Sequence, residues 1–440
     1  MKKGELKKAF KADPKSMAFY IANSLVTKFH IKTTDEKIPE IYLYQNGIYI
    51  EGKNMLKANI REQLEELCTE HHVKEILEQI KFATLIKREE FTRNYNQINL
   101  NNGIYNIKEN KLISHDPEHL FLSKIPIDYN PEAKPEVTIN FIKEVLDEDD
   151  LSVIQEWFGY ILFRKYFIKK ALIVVGPKNT GKTTLLDLIS NFIGIDNVAG
   201  VSLQKMSTDK FAIAGLYGKH INIYDDLSFD DINDNGSFKI ATGGGYVTGE
   251  YKFGNKFQFT NYAKLTFSCN KIPPVKDNDD DAYFSRWIVI TMDKSIEKVD
   301  KFLNDKLNDP KELSGLLNWA IEGLFRLLAS NNFSYNKTDN EIKNQMACSG
   351  SSIAQFAVDQ LTKEKDNWIS TDDMFQAYEK YCEDNDQQQK TIEKFGRDLT
   401  KYASYIIKSK GKAHQFDTQK TGWRNVTIDS KPLPESIKKF

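Results

Sequence analysis

A short stretch containing glycine and lysine, residues 176–184, holds the residue types that most directly indicate chemistry. It reads G-P-K-N-T-G-K-T-T and matches the pattern G-x-x-x-x-G-K-[ST]. In such a loop the glycines allow tight turns, so that successive backbone N–H groups point at phosphate oxygens. Lys182 is expected to place its ammonium on the β- and γ-phosphates, and Thr183 to offer its hydroxyl to Mg²⁺. The predicted ATP-binding residues are Gly176, Pro177, Lys178, Asn179, Thr180, Gly181, Lys182, Thr183 and Thr184.

The residues on either side of this loop have the periodicity that a phosphate-binding loop requires. Residues 171–175 form an apolar run of strand length, and residues 183–192 carry leucine, isoleucine and phenylalanine at helical spacing. A strand, a glycine-containing loop and a helix in this order favour a P-loop. The alternative is a plain turn between two core elements.

An acidic pair follows the loop after about 40 residues. Asp225 and Asp226 end the mainly apolar stretch 221–224, which is the position of a Walker B carboxylate pair. We expect Asp225 to join Thr183 in holding Mg²⁺, and Asp226 to orient or deprotonate the attacking water.

Two further polar residues stand next to predicted strands. Asn270 ends the predicted strand 264–270, where its amide can hydrogen-bond the γ-phosphate or the attacking water, or simply belong to a turn. Arg286 directly precedes the strand 287–290 and is either an arginine finger that acts across a subunit interface or a surface arginine. The candidate catalytic residues are therefore Lys182, Asp225, Asp226, Asn270 and Arg286.

A basic and aromatic hairpin is predicted between the acidic pair and Asn270. Two alternating segments within residues 246–259 place Lys252 and Lys256 on either side of a tip that contains Phe253. Ammonium groups suit the phosphates of a single strand, and an aromatic ring suits its bases or sugars. These three residues are candidate DNA contacts, and the alternative is an ordinary surface hairpin.

The C-terminal region is locally basic, although the whole chain has a net charge of −1. Residues 387–440 contain 12 Lys or Arg against 5 Asp or Glu. Helical patterns over 353–361, 371–382 and 391–402 precede strand-like segments, which is the order of a winged helix. The third helix carries the candidate DNA-binding residues Lys394, Arg397 and Lys401, and the wing would carry Lys408, Lys410 and Lys412. The alternative is a charged, solvated face.

The fold class expected is α/β, with four regions along the chain. They are an N-terminal α+β domain (1–135), a helical collar or oligomerisation segment (136–169), a P-loop ATPase core (170–330) and a winged-helix domain (346–440), with 331–345 as a linker. Asn-Gly pairs at 46–47 and 102–103 predict β-hairpins in the first region. Scattered cysteines without a C-x-x-C pair, no apolar run of 18 residues and no signal peptide favour a soluble, cytoplasmic protein without a membrane partner.

The order of these motifs resembles a known family. The P-loop, the acidic pair, the basic hairpin, Asn270 and Arg286 fall within about 115 residues and resemble a superfamily 3 helicase core, the compact AAA+ type of small viruses, phages and mobile elements. More narrowly, residues 98–107 and 115–119 resemble the domain that precedes this core in the phage/plasmid and poxvirus primase-helicase group. The resemblance covers residues 35–300 well and the winged-helix region more loosely.

The resemblance implies a homohexameric ring that uses ATP and Mg²⁺ to move 3′→5′ on single-stranded DNA, with the hairpins lining the pore. It also implies that Arg286 completes the site of a neighbouring subunit. Many AAA+ proteins have Glu at the position of Asp226, which leaves the identity of the catalytic base open. The primase half of longer relatives has no counterpart in the first 130 residues, so primer synthesis is not expected.

The expected function is that of a replicative DNA helicase or replication initiator of a phage, plasmid or mobile element. Its C-terminal domain would bind origin duplex, and a primase, polymerase or loader is a further possible partner. The alternative is an origin-binding initiator that does not unwind DNA and uses ATP as an assembly switch. A packaging or transposition ATPase would leave the hairpin and residues 98–119 unexplained.

Overall fold

The computed structural model describes residues 3–209, 211–228, 235–252, 256–273, 280–296, 300–385, 387–403, 405–412 and 419–429. Within these residues the strands form five separate sheets, and helices pack around them in a mixed α/β arrangement. The expected α/β class is therefore confirmed at this level.

The N-terminal region combines four helices with a small sheet. Its helices are α1 (Lys3–Ala12), α2 (Pro14–Phe29), α3 (Lys53–Leu64) and α4 (Glu70–Ala83), and its strands are β1 (Lys32–Thr34), β2 (Ile41–Gln45), β3 (Ile48–Glu51) and β4 (Leu85–Ile86). The sheet has the order β3-β2-β1-β4. The predicted hairpin between β2 and β3 is confirmed, and Asn46 (φ 49°) and Gly47 (φ 88°) have the left-handed backbone that its two-residue turn requires.

A second, antiparallel sheet follows in the same region. It consists of β5 (Gln97–Leu100), β6 (Gly103–Asn106) and β7 (Lys111–Ile113), which pair in chain order. The turn at residues 101–102 joins β5 to β6, which confirms the second predicted hairpin.

Two helices, α5 (Glu136–Val145) and α6 (Glu148–Leu162), occupy the segment predicted to be a helical collar. The helical collar is predicted to span residues 136–169, but residues 163–170 are an irregular connection. The hydroxyl of Tyr160 donates to the carbonyl oxygen of Ile168 (2.6 Å) and accepts from its N–H (3.1 Å). This side chain thus satisfies backbone groups that a longer helix would otherwise have paired.

A parallel sheet of five strands forms the centre of the molecule. Its strands are β8 (Ala171–Val175), β9 (Val198–Ala199), β10 (Ile221–Tyr224), β13 (Lys264–Cys269) and β14 (Trp287–Thr291), in the order β14-β8-β13-β10-β9. Helix α7 (Lys182–Ile193) follows β8. Because all five strands are parallel, their carboxyl ends meet at one edge of the sheet. Strand β13 lies between β8 and β10, so the residues that follow these three strands are neighbours.

The remaining elements of this region surround the sheet. They are α8 (Leu203–Thr208), α9 (Gly236–Ala241), the antiparallel hairpin β11 (Tyr246–Glu250) and β12 (Lys256–Thr260), α10 (Asp281–Phe284), α11 (Leu303–Leu307) and α12 (Pro310–Ser330). The long helix α12 packs along α6. Arg326 on α12 donates to the buried carboxylate of Glu156 on α6 (2.7 Å), which ties the two helices together.

The segment 331–345, expected to be a linker, is folded against the central region. Phe333 is buried, and the hydroxyl of Tyr335 accepts from the N–H of Val289 on β14 (2.9 Å). Helix α13 (Asp339–Gly350) begins inside the segment, where Thr338 and Glu341 form a reciprocal capping box. The linker interpretation is therefore wrong for these residues.

The C-terminal region has three helices and a three-stranded sheet. In chain order they are α14 (Ser352–Gln360), β15 (Leu361–Ser370), α15 (Thr371–Asp384), α16 (Ile392–Tyr402), β16 (Ile407–Lys412) and β17 (Gln419–Ile428). The sheet order is β15-β17-β16. The three predicted helices are present, and strand β15 adds an element that the helical patterns did not indicate.

The buried side chains fall into separate clusters. One cluster joins α2, α3 and α4 to β2, and another lies within residues 353–426. The largest combines Ile98 and Tyr105 of the second sheet with α5, α6, α7 and α12. The second sheet thus shares its core with the P-loop region and not with the first helices. No helix in the described part of the chain is long and apolar enough to cross a membrane.

Candidate nucleotide-binding site

The phosphate-binding loop connects the carboxyl end of β8 to the amino end of α7. Its backbone is left-handed at Asn179 (φ 63°) and Gly181 (φ 90°), which turns neighbouring N–H groups to one side of the loop. A Cβ atom on Gly176 would lie only 1.9 Å from the carbonyl oxygen of Met292, so glycine is required there. The loop presents backbone donors at the start of α7, where the helix dipole also favours an anion.

Lys182 is the first residue of α7 and is 9% exposed. Its Nζ donates to the carbonyl oxygens of Gly176 (2.7 Å) and Pro177 (2.6 Å). Burial lowers the pKa of Lys182, and the charge of Asp225 partly offsets that effect. A phosphate oxygen in the cleft would be a further acceptor that favours the charged form of this ammonium.

Asp225 is held by three donors at the end of β10. Its Oδ2 accepts from the hydroxyl of Thr183 at 3.0 Å. Its Oδ1 accepts from the N–H of Asp226 at 2.9 Å and from the hydroxyl of Ser268. The predicted pair Thr183 and Asp225 is therefore adjacent in space. Sequence reasoning missed Ser268, whose only signal was a polar residue near the end of an apolar strand.

Asp226 and Asn270 also meet at this edge of the sheet. Asp226 has a left-handed backbone (φ 53°), which turns the chain away from the strand. The amide nitrogen of Asn270 lies 3.5 Å from Oδ1 of Asp226, at the limit of a hydrogen bond. Both side chains are exposed, so they are accessible to a ligand or a water molecule.

These residues line one cleft with a volume of about 440 Å³. It is bordered by Lys178, Asn179, Thr180, Gly181, Lys182, Thr183, Thr184, Asp225, Asp226, Ser268 and Asn270. The cleft thus brings together most of the predicted ATP-binding residues and four of the five candidate catalytic residues.

The donor set of the cleft fits Mg²⁺ bound together with phosphates. Thr183 and Asp225 offer hard oxygen ligands, and Mg²⁺ commonly takes one or two such protein ligands and completes its shell with water and phosphate oxygens. Across the described residues, no group of three or more His, Cys, Asp or Glu side chains is arranged to hold a metal without such help.

Arg286, the fifth candidate, lies at the amino ends of the central strands, whereas the nucleotide cleft lies at their carboxyl ends. It precedes β14, and its carbonyl oxygen accepts from the N–H of Ala171 at the start of β8 (2.7 Å). A strand of five residues, roughly 16 Å, separates this position from the P-loop of the same chain. Burial lowers the pKa of Arg286. Its Nε and Nη1 are buried, and neither has a hydrogen-bond partner among the described residues.

The hairpin residues lie on β11, β12 and their connection. Lys252 and Lys256 are exposed, and Lys256 Nζ lies 3.9 Å from a carboxylate oxygen of Glu250. Phe253 lies outside the described residues.

The basic residues predicted on the third C-terminal helix share one exposed surface. Lys394, Arg397 and Lys401 are exposed on α16, while Phe395 and Leu399 of the same helix are buried. Nε of Arg397 lies 3.6 Å from Oδ1 of Asp398, and Nζ of Lys401 lies 2.8 Å from the same oxygen.

Three family models match successive parts of the chain. The first, described as D5 N terminal like, covers residues 8–157, and the third, described as Poxvirus D5 protein-like, covers residues 351–429. Between them, residues 174–286 match a family of unknown function, DUF5906. At the level of single sequences, no curated protein matches the chain.

Two similar solved structures are of the NrS-1 C-terminal region. The apo structure of its residues 305–718 has a TM-score of 0.53 at 14% identity, and the alignment covers 93% of this chain and 99% of that one. The A form apo structure of the same region has a TM-score of 0.52 at 15% identity, with the same coverage. At this identity the likeness concerns the fold alone. Models of D5-like proteins thus match both the N-terminal and the C-terminal region of the chain, over residues 8–157 and 351–429.

Proposed function

We propose that the protein is an ATP-driven replicative DNA helicase of the superfamily 3 type, with an AAA+ core, from a phage, plasmid or mobile element. The observation that carries the proposal is the contact of Thr183 with Asp225 under the P-loop, with Asp226 and Asn270 on the same cleft. This arrangement suits hydrolysis of a nucleoside triphosphate, because it puts metal ligands, a cation and a carboxylate around one phosphate position.

The residues of the cleft have different roles in hydrolysis under this proposal. Lys182 and the loop N–H groups bind and orient the phosphates, and Thr183 with Asp225 would hold Mg²⁺, which neutralises charge on the phosphate oxygens. Asp226 orients the attacking water and accepts its proton, and Asn270 hydrogen-bonds the same water or the γ-phosphate. Attack of that water on the γ-phosphorus breaks the bond to the β-phosphate oxygen, and ADP and phosphate leave.

The proposal includes a homohexameric ring. Arg286 is too far from the P-loop of its own chain to act there, and it would serve as a finger for the neighbouring subunit. Its side chain has to turn outward for this role. The unpaired Nε and Nη1 support the idea, because that motion breaks no hydrogen bond of theirs within the described chain. The hairpin would face the pore and move 3′→5′ along single-stranded DNA through Lys252, Phe253 and Lys256.

The C-terminal region is proposed to bind origin duplex. The alternation of helices and strands from α14 to β17 supports a winged-helix assignment, with α16 as the recognition helix and Lys408 and Lys410 on β16. Lys412 is the last residue of the same strand. Under this proposal a primase, polymerase or loader is a further partner of the assembled ring.

The decisive experiment measures ATP hydrolysis with and without single-stranded DNA, and strand displacement on substrates with 3′ or 5′ tails. A motor is expected to show DNA-stimulated hydrolysis and to unwind one tail polarity. Lys182→Ala should lose at least about a hundredfold in turnover and keep a cooperative melting transition, because the side chain lines the cleft and lies outside the hydrophobic core. Lys178→Ala, in the same loop but exposed, is the matched control and should lose much less.

ATP-dependent assembly on duplex DNA, without stimulation by single strands and without unwinding, would favour the initiator that uses ATP as a switch. Wild-type turnover in Lys182→Ala would remove the basis of both proposals.

A further inference from the structure

The buried face of the hairpin β11–β12 meets the N-terminal region at an arginine. Arg88 lies in the 3₁₀ turn Arg88–Thr92 and is 6% exposed. Its guanidinium carbon is 5.0 Å from the centre of the Tyr217 ring and 4.9 Å from that of the Phe257 ring. Because Phe257 lies on β12 next to Lys256, the guanidinium reaches from the N-terminal region to the strand that carries a proposed DNA contact.

Two carboxylates of the N-terminal region fix this guanidinium. Nε and Nη2 of Arg88 donate to the two oxygens of Glu36 at 2.5 and 2.6 Å, and Nη1 lies 3.0 Å from a carboxylate oxygen of Glu40. Burial alone lowers the pKa of Arg88, but the carboxylates of Glu36 and Glu40 raise it overall, so the group stays charged. The bidentate fork sets the plane of the guanidinium and hence the face that it offers to the rings.

The hairpin has one buried and one solvent-facing side. The buried residues alternate with exposed ones along both strands: Val247, Gly249, Phe257 and Phe259 point inward, and Tyr246, Thr248, Lys256 and Gln258 point outward. An isolated two-stranded hairpin is marginally stable in water. Its orientation therefore depends on the groups that its buried side contacts, among them Arg88.

We propose that Arg88 is a positioning residue that couples the N-terminal region to the hairpin β11–β12 and holds Lys252 and Lys256 in the orientation in which they meet single-stranded DNA. The DNA part rests on the proposed function, whereas the mechanical coupling does not. Arg88 contacts no nucleotide in this scheme and acts through Phe257 and Tyr217.

Hydrogen exchange of the hairpin amides, in protein free of nucleotide and DNA, tests the coupling. Phe257→Leu removes the ring but keeps an apolar side chain, and Arg88→Lys keeps the charge but loses the fork. Each should raise the exchange rate of β11 and β12 by about tenfold, the size expected for a desolvated cation–π contact. Phe259→Leu is the matched control, because its ring packs on Tyr217 at 5.3 Å but has no described cation–π contact with Arg88.

The same variants test the DNA part through ATP hydrolysis. The rate without DNA should stay unchanged, and the DNA concentration for half-maximal stimulation should rise about tenfold in Phe257→Leu and Arg88→Lys but not in Phe259→Leu. Should Arg88→Lys fail to fold, Phe257→Leu carries the test.

Each outcome decides something. Unchanged exchange in Phe257→Leu, or an equal rise in Phe259→Leu, overturns the coupling. Raised exchange with unchanged DNA dependence overturns the positioning role. If single-stranded DNA does not stimulate ATP hydrolysis by the wild-type protein, the proposed function is contradicted. The hydrogen-exchange rates still test the coupling in that case.

Discussion

Asp225 and Asp226 are adjacent in sequence but have different surroundings. Both oxygens of Asp225 accept hydrogen bonds, from Thr183, Ser268 and the backbone, so its carboxylate is held in place. Asp226 is turned away by its left-handed backbone, and among the residues that the structure describes its carboxylate lies next to Asn270. A fixed carboxylate suits metal binding, and one on the open cleft suits contact with water.

Asp226→Asn tests this division of roles. Asparagine tolerates the left-handed backbone, so the substitution removes the charge without adding strain. ATP affinity should stay near that of the wild type, while kcat should fall by about 10²–10⁴ because the proton acceptor is lost. Equilibrium binding of a fluorescent ATP analogue and steady-state hydrolysis measure the two quantities. Normal hydrolysis would move the base to another residue.

His220 is a second residue whose surroundings lead to a prediction, in this case for the pH dependence of stability. Its ring is buried and lies within hydrogen-bond distance of the Ser123 hydroxyl and the Ile161 carbonyl oxygen, both at 3.0 Å. Burial, and secondarily the charges of Arg164 and Lys264, lowers the pKa of His220 to about 3, despite an opposing hydrogen bond with Ile161.

Because the pKa is lower in the folded state, the unfolded state binds an extra proton between its own pKa of about 6.5 and the folded value. Stability from this group is therefore complete above pH 6.5 and falls as the pH falls. At pH 5 the loss is about 2 kcal/mol relative to pH 7.5. His220→Gln should remove this part of the pH dependence of the free energy of unfolding. The measurement is the urea midpoint of the variant and of the wild type at several pH values. Equal dependence of the urea midpoint on pH in the variant and the wild type would contradict the assignment of this effect to His220.

At the scale of elements, local signals predicted most of what surrounds the site. The Asn-Gly turns gave two hairpins, and the apolar runs before the P-loop, Asp225 and Asn270 are all strands. These signals succeed because turn residues and apolar periodicity act on neighbours in sequence. Ser268 could not be identified in this way, because its role depends on β13 lying between β8 and β10, a pairing between distant segments.

The early start of α13 had a local signal that the composition concealed. Thr338 and Glu341 form the capping box, but the segment around them is rich in polar residues, which is typical of a linker. Its burial depends on Phe333 and Tyr335 reaching residues of the central region, which no local pattern contains.

The hairpin β11–β12 carries a prediction of its own. If Lys252 and Lys256 contact phosphates, Lys252→Ala with Lys256→Ala should flatten the dependence of single-strand affinity on salt by roughly 0.7 per lost contact in log–log slope. Hydrolysis without DNA should persist, because neither lysine lines the nucleotide cleft. Fluorescence anisotropy with an oligonucleotide at several salt concentrations measures the slope, and Lys53→Ala, at an exposed lysine of α3, is the control. An unchanged slope would leave an ordinary surface hairpin.

At the scale of the whole molecule, the position of Arg286 distinguishes a ring from a monomer. The P-loop follows the carboxyl end of β8, and Arg286 lies at the amino end of the neighbouring strand β14, so one chain cannot bring the two together. A finger would therefore have to act in trans.

Mixing two inactive variants tests the trans arrangement. Arg286→Ala and Lys182→Ala should each hydrolyse little ATP alone. In mixed assemblies some interfaces unite an intact P-loop with an intact Arg286, so part of the activity should return. Hydrolysis across a series of mixing ratios gives the measurement, with co-assembly checked by native mass spectrometry. Lack of recovery in subunits that do co-assemble would leave Arg286 with a structural role beside β14.

The division of the buried core bears on how the chain folds while it is being made. The cluster of α2, α3, α4 and β2 draws on residues 10–80 and can close as soon as those residues leave the ribosome. The core that holds Ile98 and Tyr105 also includes α12 and Phe333, more than 200 residues later in the chain. Until that part is synthesised, α5, α6 and α7 supply only part of the cover of this core. The nascent chain therefore passes through a long interval in which the core around its second sheet is incomplete.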